Sequence, residues 1–112
     1  MGQKNDQGQP HGIAKCIDLN GYIIIEGEFV NGKLHGYGRR VTEHDYYIGE
    51  FVNGVIHGYG TYAHKMGTYV GNRKKGIIQG SGKFFKKNGM KFEGEWVNSR
   101  LNGVHWSELW LI

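Results

Sequence analysis

From residue 22 to residue 106 the chain consists of short apolar runs in which every second position is a ring or a glycine. Tyr47, Gly49 and Phe51 alternate with Ile48 and Glu50. Gly58, Gly60 and Tyr62 alternate with Tyr59 and Thr61, and Gly80, Gly82 and Phe84 with Ser81 and Lys83. Strand side chains point to opposite faces in turn, so a period of two puts rings and glycines on one face and the intervening residues on the other. Asn31-Gly32, Asn53-Gly54 and Asn88-Gly89 punctuate these runs, and Asn-Gly is the pair that best tolerates the positive φ angles of tight hairpin turns. The pattern predicts antiparallel hairpins that add successively to one sheet. A helix across residues 20–100 is disfavoured, since each interior glycine costs about 1 kcal/mol relative to alanine. Trp106, Leu109 and Trp110 recur at helical spacing, which predicts one helical turn capping the final hairpin.

The runs are copies of one another. FVNGVIHGYG (51–60) repeats FVNGKLHGYG (29–38) with only Val55-Ile56 in place of Lys33-Leu34. Gly27, Gly49, Gly71 and Gly94 recur at intervals of 22, 22 and 23 residues, and Gly36, Gly58, Gly80 and Gly103 keep the same step. Gly38, Gly60 and Gly82 follow, as do Phe29, Phe51, Arg73 and Trp96, where Arg73 breaks the aromatic series. Self-similarity at such a period marks a stacked repeat. The predicted organisation is a polar tail over 1–10 and a repeat domain over 11–105. That domain comprises a degenerate half-unit (8–24), units at 25–46, 47–68, 69–91 and 92–105, and an apolar tail or cap over 106–112. The third unit carries Arg73-Lys74-Lys75-Gly76 where the others have Phe-x-Asn-Gly. The fourth has Ser99 for the turn glycine and Asn102 for the histidine.

Composition supports an ordered chain whose rings pack on bare backbone. Twenty of 112 residues are glycine and fifteen are aromatic, against a single proline; disordered chains are poor in rings. One cysteine, Cys16, excludes an internal disulfide and reads as a free thiol in a reducing compartment. No apolar run approaches the roughly 18 residues of a membrane helix, and Met1–Pro10 has no signal-peptide character. Met1-Gly2 would permit myristoylation, but Asp6 stands where that motif wants Ser or Thr.

The string Y-x-G-x-F-x-N-G-x-x-H-G-x-G, Tyr47 to Gly60, resembles the MORN repeat (membrane occupation and recognition nexus). The resemblance covers residues 22–106 and 8–16. It implies an all-β fold of stacked antiparallel hairpins forming an elongated, twisted, single-sheet solenoid, with a short C-terminal helical or irregular cap. It also implies a scaffold without catalytic residues or cofactors. Family members serve in junctions between membranes, axonemal radial-spoke heads and parasite basal structures, and as appendages of lipid kinases and a histone methyltransferase.

The same residues offer sharper chemistry, but their spacing does not support it. His11, His35 and His57 share one repeat position, but strands about 4.8 Å apart put equivalent residues of successive units roughly 10 Å apart, too far to share one metal ion whose ligands lie about 2 Å away. A ring tying down nearby loop carbonyls accounts for them. His-Gly-Tyr-Gly lacks the third glycine and the helix of a nucleotide loop. Glu26, Glu28, Glu50, Glu93 and Glu95 fall on the face opposite the rings, in equivalent rather than contrasting settings, which suits solvation better than acid–base catalysis. The chain therefore reads as a non-enzyme. Gly58→Val is expected to disrupt the second unit by ring collision or backbone strain.

Two surfaces stand out as binding candidates. Residues 69–100 carry eight basic residues against Glu93 and Glu95, so Arg73, Lys74, Lys75, Lys83, Lys86, Lys87 and Lys91 form a candidate surface for anionic lipid or an acidic protein tail; nucleic acid is disfavoured. Trp106, Leu109, Trp110 and Ile112 form an apolar tail that either caps the solenoid or contacts a protein partner. The resulting expectation is an intracellular scaffold in a cytoskeletal or axonemal assembly, with a phosphoinositide-binding module on the cytoplasmic face of a membrane as the alternative.

Overall fold

The structure, a computed structural model, describes residues 3–109. It is one open antiparallel sheet in which strands adjacent in sequence are adjacent in space. The strands are β1 (Gly12–Asp18), β2 (Ile23–Val30), β3 (Lys33–Val41), β4 (Asp45–Val52), β5 (Val55–His64), β6 (Gly67–Lys74), β7 (Ile77–Lys86), β8 (Lys91–Val97), β9 (Arg100–Leu101) and β10 (Val104–His105). A single helical turn, α1 (Trp106–Leu109), follows. The described chain measures 50 × 26 × 17 Å, so the sheet is long and one layer thick.

A lone sheet has no second layer to bury its apolar face. Here a row of small residues solves the problem. Ala14, Gly27, Gly38, Gly49, Gly60, Gly71, Gly82 and Gly94 are successive cross-strand partners running across eight strands. The neighbours on either side of this row fold inward over it. A Cβ on Gly60 would collide with the Tyr47 ring, and one on Gly82 with the Tyr69 ring. Tyr47 donates its hydroxyl to the Glu50 carbonyl (3.2 Å), Tyr69 to the Asn72 carbonyl (2.9 Å), and the Trp96 indole N–H to the Gly82 carbonyl (3.1 Å). These rings are almost wholly removed from water although only one sheet is present.

Two further devices recur. The turns Asn31-Gly32, Asn53-Gly54, Lys75-Gly76 and Asn98-Ser99 have positive φ at both residues, the two-residue hairpin geometry that matches strand twist. Lys75-Gly76 adopts it without asparagine, and Asn98-Ser99 without glycine. Asn88-Gly89 joins neighbouring units at the opposite edge, with positive φ only at Gly89. The second device is a bulge within each hairpin: between Gly49↔Gly60 and Phe51↔Ile56, three residues of β5 face Glu50 alone. Gly36, Gly58 and Gly80 sit in these bulges at φ +96, +87 and +91. At Asn102-Gly103 the bulge position becomes a tight turn instead, sending the chain back after only two residues of β9.

The segment expected as a polar tail is, over residues 4–10, a loop closed by a Lys4–Pro10 bridge. The Asn5 side chain accepts from the Gln7 and Gln9 N–H groups and donates to Asn31 Oδ1, which ties the loop to the first hairpin turn.

Candidate functional surfaces

The histidines that suggested a site hold hairpins together. Nδ1 of His11, His35 and His57 accepts the backbone N–H of Asn31 (3.3 Å), Asn53 (3.3 Å) and Lys75 (3.1 Å). The partner is a turn N–H in the following hairpin, not a carbonyl of the ring's own loop as the sequence suggested. Gln79 takes the place of histidine in the next unit, its Oε1 accepting from Asn98 N–H at 2.9 Å. Beside each such bond lies a second one: Gly32, Gly54, Gly76 and Ser99 donate to the carbonyls of Pro10, Leu34, Ile56 and Ile78. The four turns Asn31-Gly32, Asn53-Gly54, Lys75-Gly76 and Asn98-Ser99 are thus each stapled twice to the unit before. Gln79 escaped notice because it is not histidine; its place 22 residues after His57 was the available signal. With each Nδ1 committed to a turn, no group of three or more His, Cys, Asp or Glu positioned for a metal ion occurs among the described residues.

A family model described as the MORN repeat matches residues 26–42, 47–69, 66–91 and 92–104, which is more than half of the chain. The chain belongs to the MORN-repeat family. No curated protein matches it by sequence. MORN repeats are interaction modules for proteins or membrane lipids rather than catalytic units. No described helix is long and apolar enough to cross a membrane.

The third MORN unit departs from the others through Arg73. Expected among the anion-binding residues, Arg73 instead lies on the ring face, its guanidinium 4.9 Å from the Tyr62 ring centroid and 5.9 and 5.8 Å from those of Tyr47 and Tyr69. It stands where Phe29, Phe51 and Trp96 stand in other units, and cation–π attraction replaces ring–ring packing. One guanidinium N–H reaches the Gly76 carbonyl (3.3 Å), while Nε is buried without a partner. Burial lowers the pKa of Arg73. Burial also pushes Tyr62 and Tyr69 up to about 12, with Tyr62 raised further by the Asp45 carboxylate it donates to. Asp45 itself is held below its ordinary value: burial opposes its charge, but hydrogen bonds from Thr42 (2.6 Å) and Tyr62 (2.7 Å) prevail.

The lysines of the basic half do not converge. Lys74 and Lys75 lie at the β6–β7 turn, whereas Lys86 ends β7 at its other end and Lys87 follows it. Ten residues of strand put these ends roughly 30 Å apart. Lys83 and Lys91 sit between and flank Glu93 at 3.6 and 3.4 Å; the hydrogen bond and charge of Lys91, with Lys83 behind it, lower the Glu93 pKa. Lys86 and Lys87 meet Lys65 around Met66 in an open depression.

The apolar tail folds back. Leu109 is buried against Tyr69, Ile78, Phe84 and Trp96. Trp106 lies edge-on to Tyr62 and His64, with ring centroids 6.4 and 6.3 Å away, and its backbone N–H donates to the Ser99 carbonyl (3.0 Å). The cap therefore covers the ring face back to β5 rather than only the last hairpin. Trp110 and Ile112, the other candidates in this tail, lie outside the described residues.

No element of the described residues covers the opposite face. Ile13, Tyr37 and Tyr59 stand there on alternate strands, opposite Glu28, Glu50 and Asn72 in register, and are 70%, 66% and 53% exposed. Val30, Ile48, Val52, Val55, Ile77 and Val97 add further exposed apolar surface. The acids predicted for this face are present on it. Glu50 accepts the Tyr59 N–H at 2.6 Å across the bulge, Glu95 accepts from Ser81 Oγ at 2.7 Å, and Glu26 pairs with Arg39.

Proposed function

We propose that this MORN-repeat protein is a non-catalytic scaffold that docks other proteins on its outer sheet face within a large cytoskeletal assembly, an axoneme in the first instance. The observation that carries this reading is the exposed row of Ile13, Tyr37 and Tyr59 on a face that no element of the described chain covers. Exposed apolar side chains alternating with the acids Glu28 and Glu50 on a stapled frame suit protein contact. The axonemal assignment rests on the resemblance of small stand-alone MORN proteins to axonemal components.

Affinity purification with cross-linking from ciliated cells tests it. Tyr37→Glu/Tyr59→Glu should melt like wild type and lose the recovered partners. Full retention of those partners by a folded double variant overturns the outer-face reading. An anionic membrane is the second reading, favoured by the three lysines around Met66. Sedimentation with anionic and neutral vesicles at two salt concentrations decides it. Low-salt pelleting abolished by Lys86→Glu/Lys87→Glu would put the lipid reading first, and no pelleting at low salt would end it.

A further inference from the structure

The five Asn-Gly steps, at residues 20, 31, 53, 88 and 102, are chemically alike in sequence and unlike in the fold. Asn-Gly is the step most prone to spontaneous deamidation. The glycine nitrogen attacks the asparagine Cγ, a C–N bond forms as the Cγ–Nδ2 bond breaks, and ammonia leaves. Water then opens the five-membered imide at either carbonyl to give aspartate or isoaspartate. Nothing is oxidised or reduced. The attacking nitrogen must shed its proton and swing toward the side chain, so a hydrogen bond from that N–H holds the reaction back.

At Asn31-Gly32 and Asn53-Gly54 that nitrogen is the second arm of the repeat staple. Gly32 N–H is held by the Pro10 carbonyl (2.8 Å) and Gly54 N–H by the Leu34 carbonyl (2.8 Å). The asparagine N–H groups are held by His11 and His35, and Asn31 Oδ1 is held by Asn5. At Asn88-Gly89 there is one local bond, Gly89 N–H to the Lys86 carbonyl (3.0 Å), and Asn88 Oδ1 accepts from Met90 N–H. At exposed Asn20-Gly21 the hold is also local, Asp18 Oδ1 accepting from Asn20 N–H (3.0 Å) and Gly21 N–H (3.3 Å), so this step ranks with Asn88. At Asn102-Gly103 no unit supplies a histidine or carbonyl to the turn. Both residues are exposed, the space around Gly103 is open, and among the described residues no hydrogen bond engages the Gly103 N–H.

We infer that Asn102-Gly103 is a deamidation and isoaspartate-forming site in the native protein, and that the repeat staple protects Asn31 and Asn53 from the same chemistry. Asn88 falls between. The product would place a carboxylate, and in the isoaspartate form an extra backbone methylene, beside Arg100 and three residues before α1. Arg100 already holds the Gly103 carbonyl at 3.1 Å, so the change would act on the connection that seats Trp106 and Leu109 over the ring face.

Ageing the folded protein at mildly alkaline pH, followed by peptide mapping for the amide-to-acid mass gain and enzymatic methyl labelling of isoaspartate, tests the inference. Asn102 should convert first. Asn31 and Asn53 should convert roughly 5- to 30-fold more slowly, the factor expected if two net hydrogen bonds must open first. Two controls separate fold from local sequence. In denaturant the five steps should converge, and His35→Ala should accelerate Asn53 alone. Native conversion of Asn31 or Asn53 as fast as Asn102, or the same ranking in folded and unfolded chains, would overturn it.

Discussion

The two halves of the sheet bury their ring faces differently. In the first half, Phe29, Leu34, Tyr47, Phe51 and Ile56 close the core with residues of the repeat itself, and Phe51 meets Tyr47 edge-on at 5.2 Å. In the second half Arg73 occupies the aromatic position, and the core of Tyr69, Ile78, Phe84 and Trp96 is completed by Leu109 from outside the repeat. A faithful copy of the unit is self-sufficient, because ring, glycine bed and staple come together. Where the copy decays, a cation and a borrowed helical turn fill the gap, so the second half depends on residues remote in sequence.

The largest expected effect falls where the halves agree. Gly60→Val drives a branched side chain into the Tyr47 ring and should cost more than about 3 kcal/mol, measured by urea unfolding. Gly58→Val should cost less, about 1–3 kcal/mol from strain at φ +87, because its Cβ meets the Glu50 side chain, whose carboxylate must give up the Tyr59 N–H, rather than a packed ring. Of the two causes expected at Gly58 from sequence, backbone strain holds there and ring collision belongs to Gly60. Equal losses for the two variants would remove the glycine bed from the account.

Next, Leu109→Ala should cost about 2–4 kcal/mol and should do so unevenly. Amide exchange should quicken in β7 and β8 and leave β2–β4 unchanged, whereas uniform quickening would erase the distinction between the halves. Alkaline pH tests the same contrast without mutation. Tyr62 and Tyr69 ionise near pH 12 in the fold and at about 10 in the unfolded chain. The folded state therefore holds these protons more tightly, and stability is present below about pH 10 and lost as pH rises toward 12. Tyrosinate absorbance should show these two rings ionising only near pH 12.

Smaller effects probe the staple and the cation. His57→Ala should cost about 1 kcal/mol, and His57→Gln should restore most of it, since Gln79 performs the same task one unit on. Nitrogen-edited NMR should find the proton of His35 and His57 on Nε2. Arg73→Phe, which returns the third unit to the family pattern, should stay within about 1 kcal/mol of wild type or exceed it, as apolar replacements of buried charges often do. A loss as large as that of Arg73→Ala would make the cation itself indispensable.

Much of this was legible along the chain because it depends on near neighbours. Alternation assigns each ring and glycine to a face, Asn-Gly specifies the turn, and a period of 22 makes every unit a template for the next. The acids on the outer face followed from the same alternation. What the chain alone determined, then, is the unit and its number, since φ preferences and the period of two act over a few residues. Tertiary structure decided where each histidine spends its lone pair, because its partner lies 18 or 20 residues away in the next hairpin. It decided that Arg73 turns to three tyrosines, that β7 separates the lysines to opposite edges, and that α1 lies back over β5–β8. Those outcomes rest on cross-strand register and on which surface a neighbouring strand leaves open, and neither quantity exists until the hairpins are stacked.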